Sequence, residues 1–490
     1  MYISQEDCAV HGSIQAPGRN QAVKTELKQL QEENERLKKL VAELSLDKAM
    51  LVDVIKKSGE SRFPACHRGL SQEHDQLSNK QRNKKDGDMT TYQRAAMMSL
   101  DTMKTVWKGG DAFRNCTDGV YFFWMAGNFF HTAIDAMNQL QVKDTYGFGA
   151  DALKFFDESA PKGADPRKWP FESGFWVDDY GWWGIALIHA YRYADTLGYD
   201  AGTKQKFAVR AQNCWEAMNA FWQTSTVSWD INNAHYSVSG GVPNTLDPAP
   251  ALAGRNCVTN EVYWALSNLL FTEFGSHYKD SNALSSDFFR QGYEQAILFN
   301  SNNLVYERFF GMPGGSTDHN WTWLGDQGLF AYSSFYNNTG NESLFGQEQA
   351  RLVLESVMKN MRTANGILQE DLAPWPAFIM DYACGKGTFM RYLSYINSYL
   401  HGGFPGLSKY DEYIAINARA VWKNRSQSTG VFGFYWDGED TPPADWGYGQ
   451  DTADAILHAA GFSTIIAALA KYADQPIDQA TVAASADIGF

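Results

Sequence analysis

The chain has 490 residues, 44% of them hydrophobic and 20% charged, and carries a net charge of −14. This is a globular composition, longer than one ordinary domain, although large helical toroids reach this length as single units. The acidity argues against a nucleic-acid partner, which needs a basic surface for phosphate, and no eighteen-residue apolar run indicates a membrane span.

The first ninety residues differ from the rest. They hold 15 basic against 14 acidic residues, whereas 27 against 42 follow, and all 16 tryptophans fall between Trp107 and Trp446. Met1 opens a polar stretch with no apolar core of a signal peptide. Val23, Leu30, Leu37, Leu44 and Leu51 then recur every seven residues, with Leu27, Val41 and Ile55 at the complementary position and Asn34 and Lys48 interrupting it. This predicts a coiled-coil helix within residues 1–57, offering dimerisation through its heptads, or an amphipathic helix packed on the body. Residues 32–51 resemble the tail of the small helix-turn-helix subunit of insertion-sequence transposases, over roughly residues 24–57. The DNA-reading helices that should precede this segment are missing, so no DNA-binding function is carried over. Residues 58–90 are polar, with little to bury, and read as a disordered linker.

From residue 91 to 490 the pattern is helix after helix. The predicted helices are 91–107, 119–140, 178–198, 203–225, 256–276, 281–300, 321–338, 345–364, 385–402, 408–424 and 448–473, with no convincing alternating strand between them. Gly and Pro punctuate the loops, as in Gly240-Gly241-Val242-Pro243, Pro248 to Pro250, Gly311 to Gly315 and Pro442-Pro443. Helices in pairs, joined by alternating short and long loops, predict an all-α fold: an (α/α)6 toroid of helical hairpins whose long loops form a cleft at one end. The six cysteines contain no C-x-x-C pair, and the histidines His131, His189, His235, His319 and His458 show no metal spacing, so no metal or cofactor is expected.

The strongest chemical signal is Phe175-Trp176-Val177-Asp178-Asp179-Tyr180-Gly181-Trp182-Trp183. Two carboxylates held together are costly, and aromatic faces are platforms for sugar rings, so the segment points to glycoside chemistry, in which two carboxyl groups flank the scissile bond. A helix cap needs only one aspartate. Other segments set polar residues beside aromatics near helix starts: Ser228-Trp229-Asp230, Asn256 through Asn260 and Glu261, Trp321 through Asp326 and Gln327, and Asp381 through Lys386 to Arg391 and Tyr392. Trp176, Trp182, Trp229 and Trp321 are candidate sugar platforms, with Trp182 and Trp183 equally suited to a core. Asp230, Asn260, Asp326, Gln327, Lys386 and Arg391 are candidate substrate contacts, the last two alternatively ion pairs beside the cleft.

Taken in order, these segments resemble glycoside hydrolase family 76, the endo-α-1,6-mannanases, over roughly residues 92–473. Asp178-Asp179 is similar to that family's catalytic Asp-Asp word, and Gly240 to Pro243 to its Gly-Gly-hydrophobic segment. Asn256 to Glu261 is similar to an Asn-x-hydrophobic-Ser/Thr-Asn-Glu word. Thr322 to Gly328 resembles Thr-Tyr-Asn-Gln-Gly, with Asp326 where Asn is common, and Lys386 to Tyr392 resembles Lys-Gly-Ile-Phe-x-Arg-Tyr. The resemblance implies retaining hydrolysis of α-mannan or a related oligosaccharide, with Asp178 as nucleophile and Asp179 as general acid/base. It also implies export to an extracellular or periplasmic location, which the chain's opening does not match. The competing readings are a glycan-binding protein without turnover and another toroidal sugar enzyme, an epimerase or unsaturated-uronide hydrolase. The paired aspartates argue against epimerases, which rely on cavity histidines.

Overall fold

The computed structural model describes residues 90–477, apart from 115–121, 161–162, 164, 171–174, 232–233, 245–254, 308–320, 337–342, 372–378, 401–407 and 439–449. The expected coiled coil, all but the last residue of the expected linker, and the loops at Pro248, Gly311 and Pro442 lie outside the described residues.

Thirteen helices form among the described residues. They are α1 (Tyr92–Trp107), α2 (Phe123–Leu140), α3 (Phe148–Ser159), α4 (Val177–Arg192), α5 (Ala194–Leu197), α6 (Ala201–Asn219), α7 (Cys257–Phe274), α8 (Lys279–Glu294), α9 (Leu324–Phe335), α10 (Ser343–Asn360), α11 (Ile379–Leu400), α12 (Ser408–Lys423) and α13 (Gln450–Tyr472). Side-chain oxygens start several of them: Thr91 accepts from the Arg94 N–H at 3.2 Å and Asp200 from the Thr203 N–H at 2.7 Å, each satisfying a donor that the helix leaves unpaired.

Packing arranges these helices in two rings. The inner ring is α2, α4, α7, α9, α11 and α13, each against the next, and α13 closes on α2. Outside it α3 packs on α2, α6 on α4, α8 on α7, α10 on α9, and α12 and α1 on α13. The expected all-α (α/α)6 toroid is therefore the observed architecture. Inner helices are covered on every side, and every residue from Val177 to Ala190 and from Cys257 to Leu270 is buried, as expected of a helix that is apolar all round. The longest inner helix, α13, has a stretch of mean hydropathy 1.5, enough by length and composition to cross a membrane, yet 89% of it is buried in the ring.

Close approach in the inner ring depends on glycine. A Cβ on Gly181 or Gly184 of α4 would lie 2.5 Å from Val262 or Leu266 of α7, and one on Gly387 of α11 would lie 2.4 Å from Ala460 Cα of α13. The ring closes at the chain ends: Tyr92 N–H donates to Gln475 O at 3.0 Å and Ile477 N–H to Thr90 O at 2.7 Å.

Two elements depart from the sequence expectation. Helix α3 was not predicted; its apolar face, Phe148, Leu153, Phe155 and Phe156, is buried against the core. Residues after Asn219 do not continue α6 to 225. Instead β1 (Thr226–Ile231) and β2 (Ala234–Ser239) form an antiparallel hairpin pairing Trp229 with Tyr236. Its alternation is short, and in sequence only Asn232-Asn233 marks the turn.

Candidate active site

All six inner helices run from the same end: α2, α4, α7, α9 and α11 are each followed by an outer helix that returns the chain, and α13 is preceded by outer helix α12. Their N-termini therefore gather at one mouth, bringing together Trp124 (α2), Asp178 and Asp179 (α4), Thr259 and Glu261 (α7), Asp326 (α9) and Asp381 (α11).

Trp176 is the N-cap of α4 in extended conformation, and its carbonyl accepts from the Asp179 N–H at 3.2 Å. Its side chain is 44% exposed, whereas Asp178 and Asp179, in the first turn, are only 8% and 5% exposed. The close packing permitted by Gly181 and Gly184 brings α7 alongside, and Thr259 Oγ1 donates to Asp178 Oδ1 at 3.3 Å. Burial, with Glu307 adding repulsion, raises the Asp178 carboxyl to about 7. Asp179 is pushed well above the carboxylate range by burial and then by Asp178 and Asp381. Taking a carboxylate out of water disfavours its charged form, and a second charge nearby adds to this.

Two further carboxylates come from loops. Glu307 accepts from Asn256 Nδ2 at 2.7 Å and from the Val258 N–H at 3.3 Å, so it caps α7. Glu370 accepts the Leu324 N–H with both oxygens at 3.2 Å and caps α9. Each follows a short turn closed by an isolated bridge, Phe299 with Val305 and Arg362 with Leu368. Each also matches a helix N-terminus, where the dipole favours an anion. Sequence reasoning missed both residues. Their signal was a repeated word, Leu304-Val305-Tyr306-Glu307 and Ile367-Leu368-Gln369-Glu370, placed before an inner helix. Asp381 at the rim is raised to about 7 by burial, then by Glu307 and Asp178. Fully buried Glu261 and Asp326 are raised well above their usual range by burial and then by Glu307.

Among the aromatics, Trp124, Trp182 and Trp323 meet in a trio with ring centroids 5.5, 6.0 and 6.2 Å apart, joining α2, α4 and the start of α9. Half-exposed Trp124 was not among the predicted platforms. Trp183 is core, its Nε1 donating to Phe123 O at 2.7 Å. Trp321 is buried edge-on to Tyr382 at 6.3 Å.

The other predicted contacts separate by position. Asn260 donates to Val242 O at 3.0 Å and accepts from its N–H at 2.8 Å, holding the loop after Gly240-Gly241. Gln327 does the same to Val305, at 2.9 and 2.7 Å, holding the segment that carries Glu307. Both amides are spent on backbone. Lys386 is buried beside the mouth, its ammonium on Phe434 O and 4.5 and 4.9 Å from the ring centroids of Phe434 and Trp436; burial lowers it to about 8, against Glu370 and Asp437. Trp229 stacks on Tyr236 in the hairpin, where exposed Asp230 pairs with His235 at 2.8 Å. Arg391 lies about 15 Å along α11 from Asp381, only 4% exposed, and ties α11 to Asn128 and Thr132 of α2.

No protein-family model matches the chain. No curated protein matches it. Solved structures do. The α-1,6-mannanase of glycoside hydrolase family 76 from Salegentibacter sp. HEL1_6 aligns at 14% identity over 76% of this chain and 98% of its own, with a TM-score of 0.54. An inactive variant of that enzyme, with two adjacent aspartates changed to asparagine, was solved in complex with α-1,6-mannotriose and aligns at 13% identity over 76% and 99%, with a TM-score of 0.53. Dfg5 from Chaetomium thermophilum, in complex with glucosamine, aligns at 14% identity over 78% and 92%, with a TM-score of 0.59. At these identities the shared property is the fold.

Proposed function

We propose that this chain is a glycoside hydrolase of the family 76 kind, acting on α-1,6-linked mannan with retention of configuration. The observation that carries the reading is the pair Asp178 and Asp179, buried in the first turn of an inner helix beneath exposed Trp176. Its support from outside the chain is a fold shared with α-1,6-mannanases, one of them solved as an inactive double-aspartate variant with mannotriose bound.

The electrostatics suit a division of labour. Asp178, raised to about 7, has in Thr259 a hydroxyl donor for its ionised form, which suits the nucleophile. Asp179, raised well above the carboxylate range by burial and then by Asp178 and Asp381, suits the group that carries the proton. In the first step Asp179 gives that proton to the glycosidic oxygen while Asp178 attacks the anomeric carbon. The carbon–oxygen bond breaks and a glycosyl ester forms on Asp178. Water then displaces the ester, losing its proton to Asp179, which restores both groups. Trp176 and Trp124 supply the apolar faces on which sugar rings stack. A mannan substrate places the reaction outside the cell.

Incubation with linear α-1,6-mannan, with products resolved by size and by NMR of the first anomer formed, tests the reading. Short α-configured oligomers, absent with Asp178→Asn, are expected. Initial β-configured product would overturn retention, and oligosaccharide binding without any release would make the cleft a binding site.

A further inference from the structure

Deeper in the ring, the inner helices carry a second polar group that the proposed reaction leaves unused. His131 and Asp135 stand one turn apart on α2, and His189 lies in the last turn of α4, about 16 Å along the helix from Asp178. Each is at most 5% exposed. One nitrogen from each imidazole and one carboxylate oxygen lie within 4.8 Å of one another. Tyr395 of α11 joins them, its hydroxyl donating to Asp135 Oδ2 and lying 2.9 Å from His131 Nε2. His189 Nδ1 is 3.1 Å from the Tyr193 hydroxyl, while its Nε2 and Asp135 Oδ1 have no protein partner. Buried polar atoms are normally satisfied, so two orphans in one cluster point to a missing ligand.

The donor chemistry is selective. Two imidazoles and a carboxylate, with a hydroxyl or water in a fourth position, form a set for zinc and its neighbours; calcium and magnesium call for oxygen ligands throughout. Arg391 Nε, 3.6 Å away, and the Tyr395 hydroxyl both face Asp135 Oδ2, while the other Arg391 nitrogens donate to Asn128 and Thr132; Oδ1 is the carboxylate oxygen left for an ion. A small cavity of about 10 Å³, lined in part by Asp135, Arg391, Tyr395 and Ser463, adjoins the cluster. Spacing in sequence carries no such signal, because the ligands come from two helices separated by a hairpin of chain.

We propose that His131, Asp135 and His189 bind one divalent transition-metal ion of the zinc class inside the ring, fastening α2 to α4 at a distance from the hydrolytic aspartates. The test uses the full chain, stripped with a chelator and titrated with Zn²⁺ and with Co²⁺, following stoichiometry by metal analysis, geometry by Co²⁺ absorption and stability by thermal melting. One ion per chain, a four-coordinate Co²⁺ spectrum and a raised Tm are expected. His189→Ala and His131→Asn should each weaken binding by at least about tenfold, while Asp178→Asn binds as the unmodified chain does. His189→Gln, checked for helical content by circular dichroism, serves if a smaller side chain prevents folding. Failure of the unmodified chain to take up an ion overturns the proposal. So does an ion bound with unchanged affinity and spectrum in a folded His189 variant.

Discussion

Asp178 and Asp179 are neighbours in sequence, yet their surroundings differ, which suits the separate tasks proposed for them. Replacing either with asparagine should lower release of reducing ends from α-1,6-mannan by about 10²–10⁴-fold or more, with the helical circular dichroism unchanged. The two variants should differ on an aryl mannoside with an acidic phenol. That leaving group needs no proton, so Asp179→Asn should retain much of its first step and Asp178→Asn should not. Activity should rise as Asp178 ionises through about pH 7 and fall again when Asp179 loses its proton. Stability has the opposite sign. A carboxyl raised from 3.8 to about 7 binds its proton more tightly in the folded chain, so its contribution is complete below the unfolded value and is lost as pH rises through the folded one. Asp178→Asn should therefore melt higher than the unmodified chain at about pH 8 and close to it at about pH 3. Equal Tm differences at both values would remove burial of the charge as the cause.

At the scale of elements, the mouth is built by loops that reach back to cap helices. Glu370→Ala leaves the Leu324 N–H without its carboxylate and should cost about 1–3 kcal/mol in denaturant unfolding, with Glu370→Gln retaining part of it. Gly387→Ala would drive a Cβ into the backbone of α13 and should cost about 1–3 kcal/mol or more. An unchanged Tm would mean that α11 and α13 can separate freely. These same elements mark what the sequence could disclose. The inner helices were legible because burial on all sides makes them apolar all round, and the paired aspartates because no cap needs two. Glu307 and Glu370 were hidden: acids in loops, the second beside Asp371, look like solvated surface until the ring folds them onto buried helix ends. Asn260 and Gln327 looked like substrate contacts because an amide can serve a sugar or a backbone equally well, and only the fold shows that Val242 and Val305 take them. The hairpin was lost to its brevity, with Val227, Trp229 and Ile231 alternating over a single short strand.

For the whole molecule, the parallel inner ring sums six helix N-termini at one mouth, a positive field that offsets the crowding of carboxyl groups there. Removing residues 1–88 leaves the pairing of Thr90 and Tyr92 with Ile477 and Gln475 in place, so the shortened chain should keep the mannan-degrading rate and Tm of the full one. Starting instead at residue 94 deletes that pairing and the first turn of α1, and the Tm should fall. That closure also has a consequence for biosynthesis. A chain emerging from the ribosome with its N-terminus first can assemble α2 through α11 as an open arc, but the flanks that α13 covers stay bare until α13 itself has emerged. Contacts between residues so far apart form late and slowly, and until then the unfinished arc presents the apolar sides of α1, α2 and α11 to whatever the cell supplies to shield them.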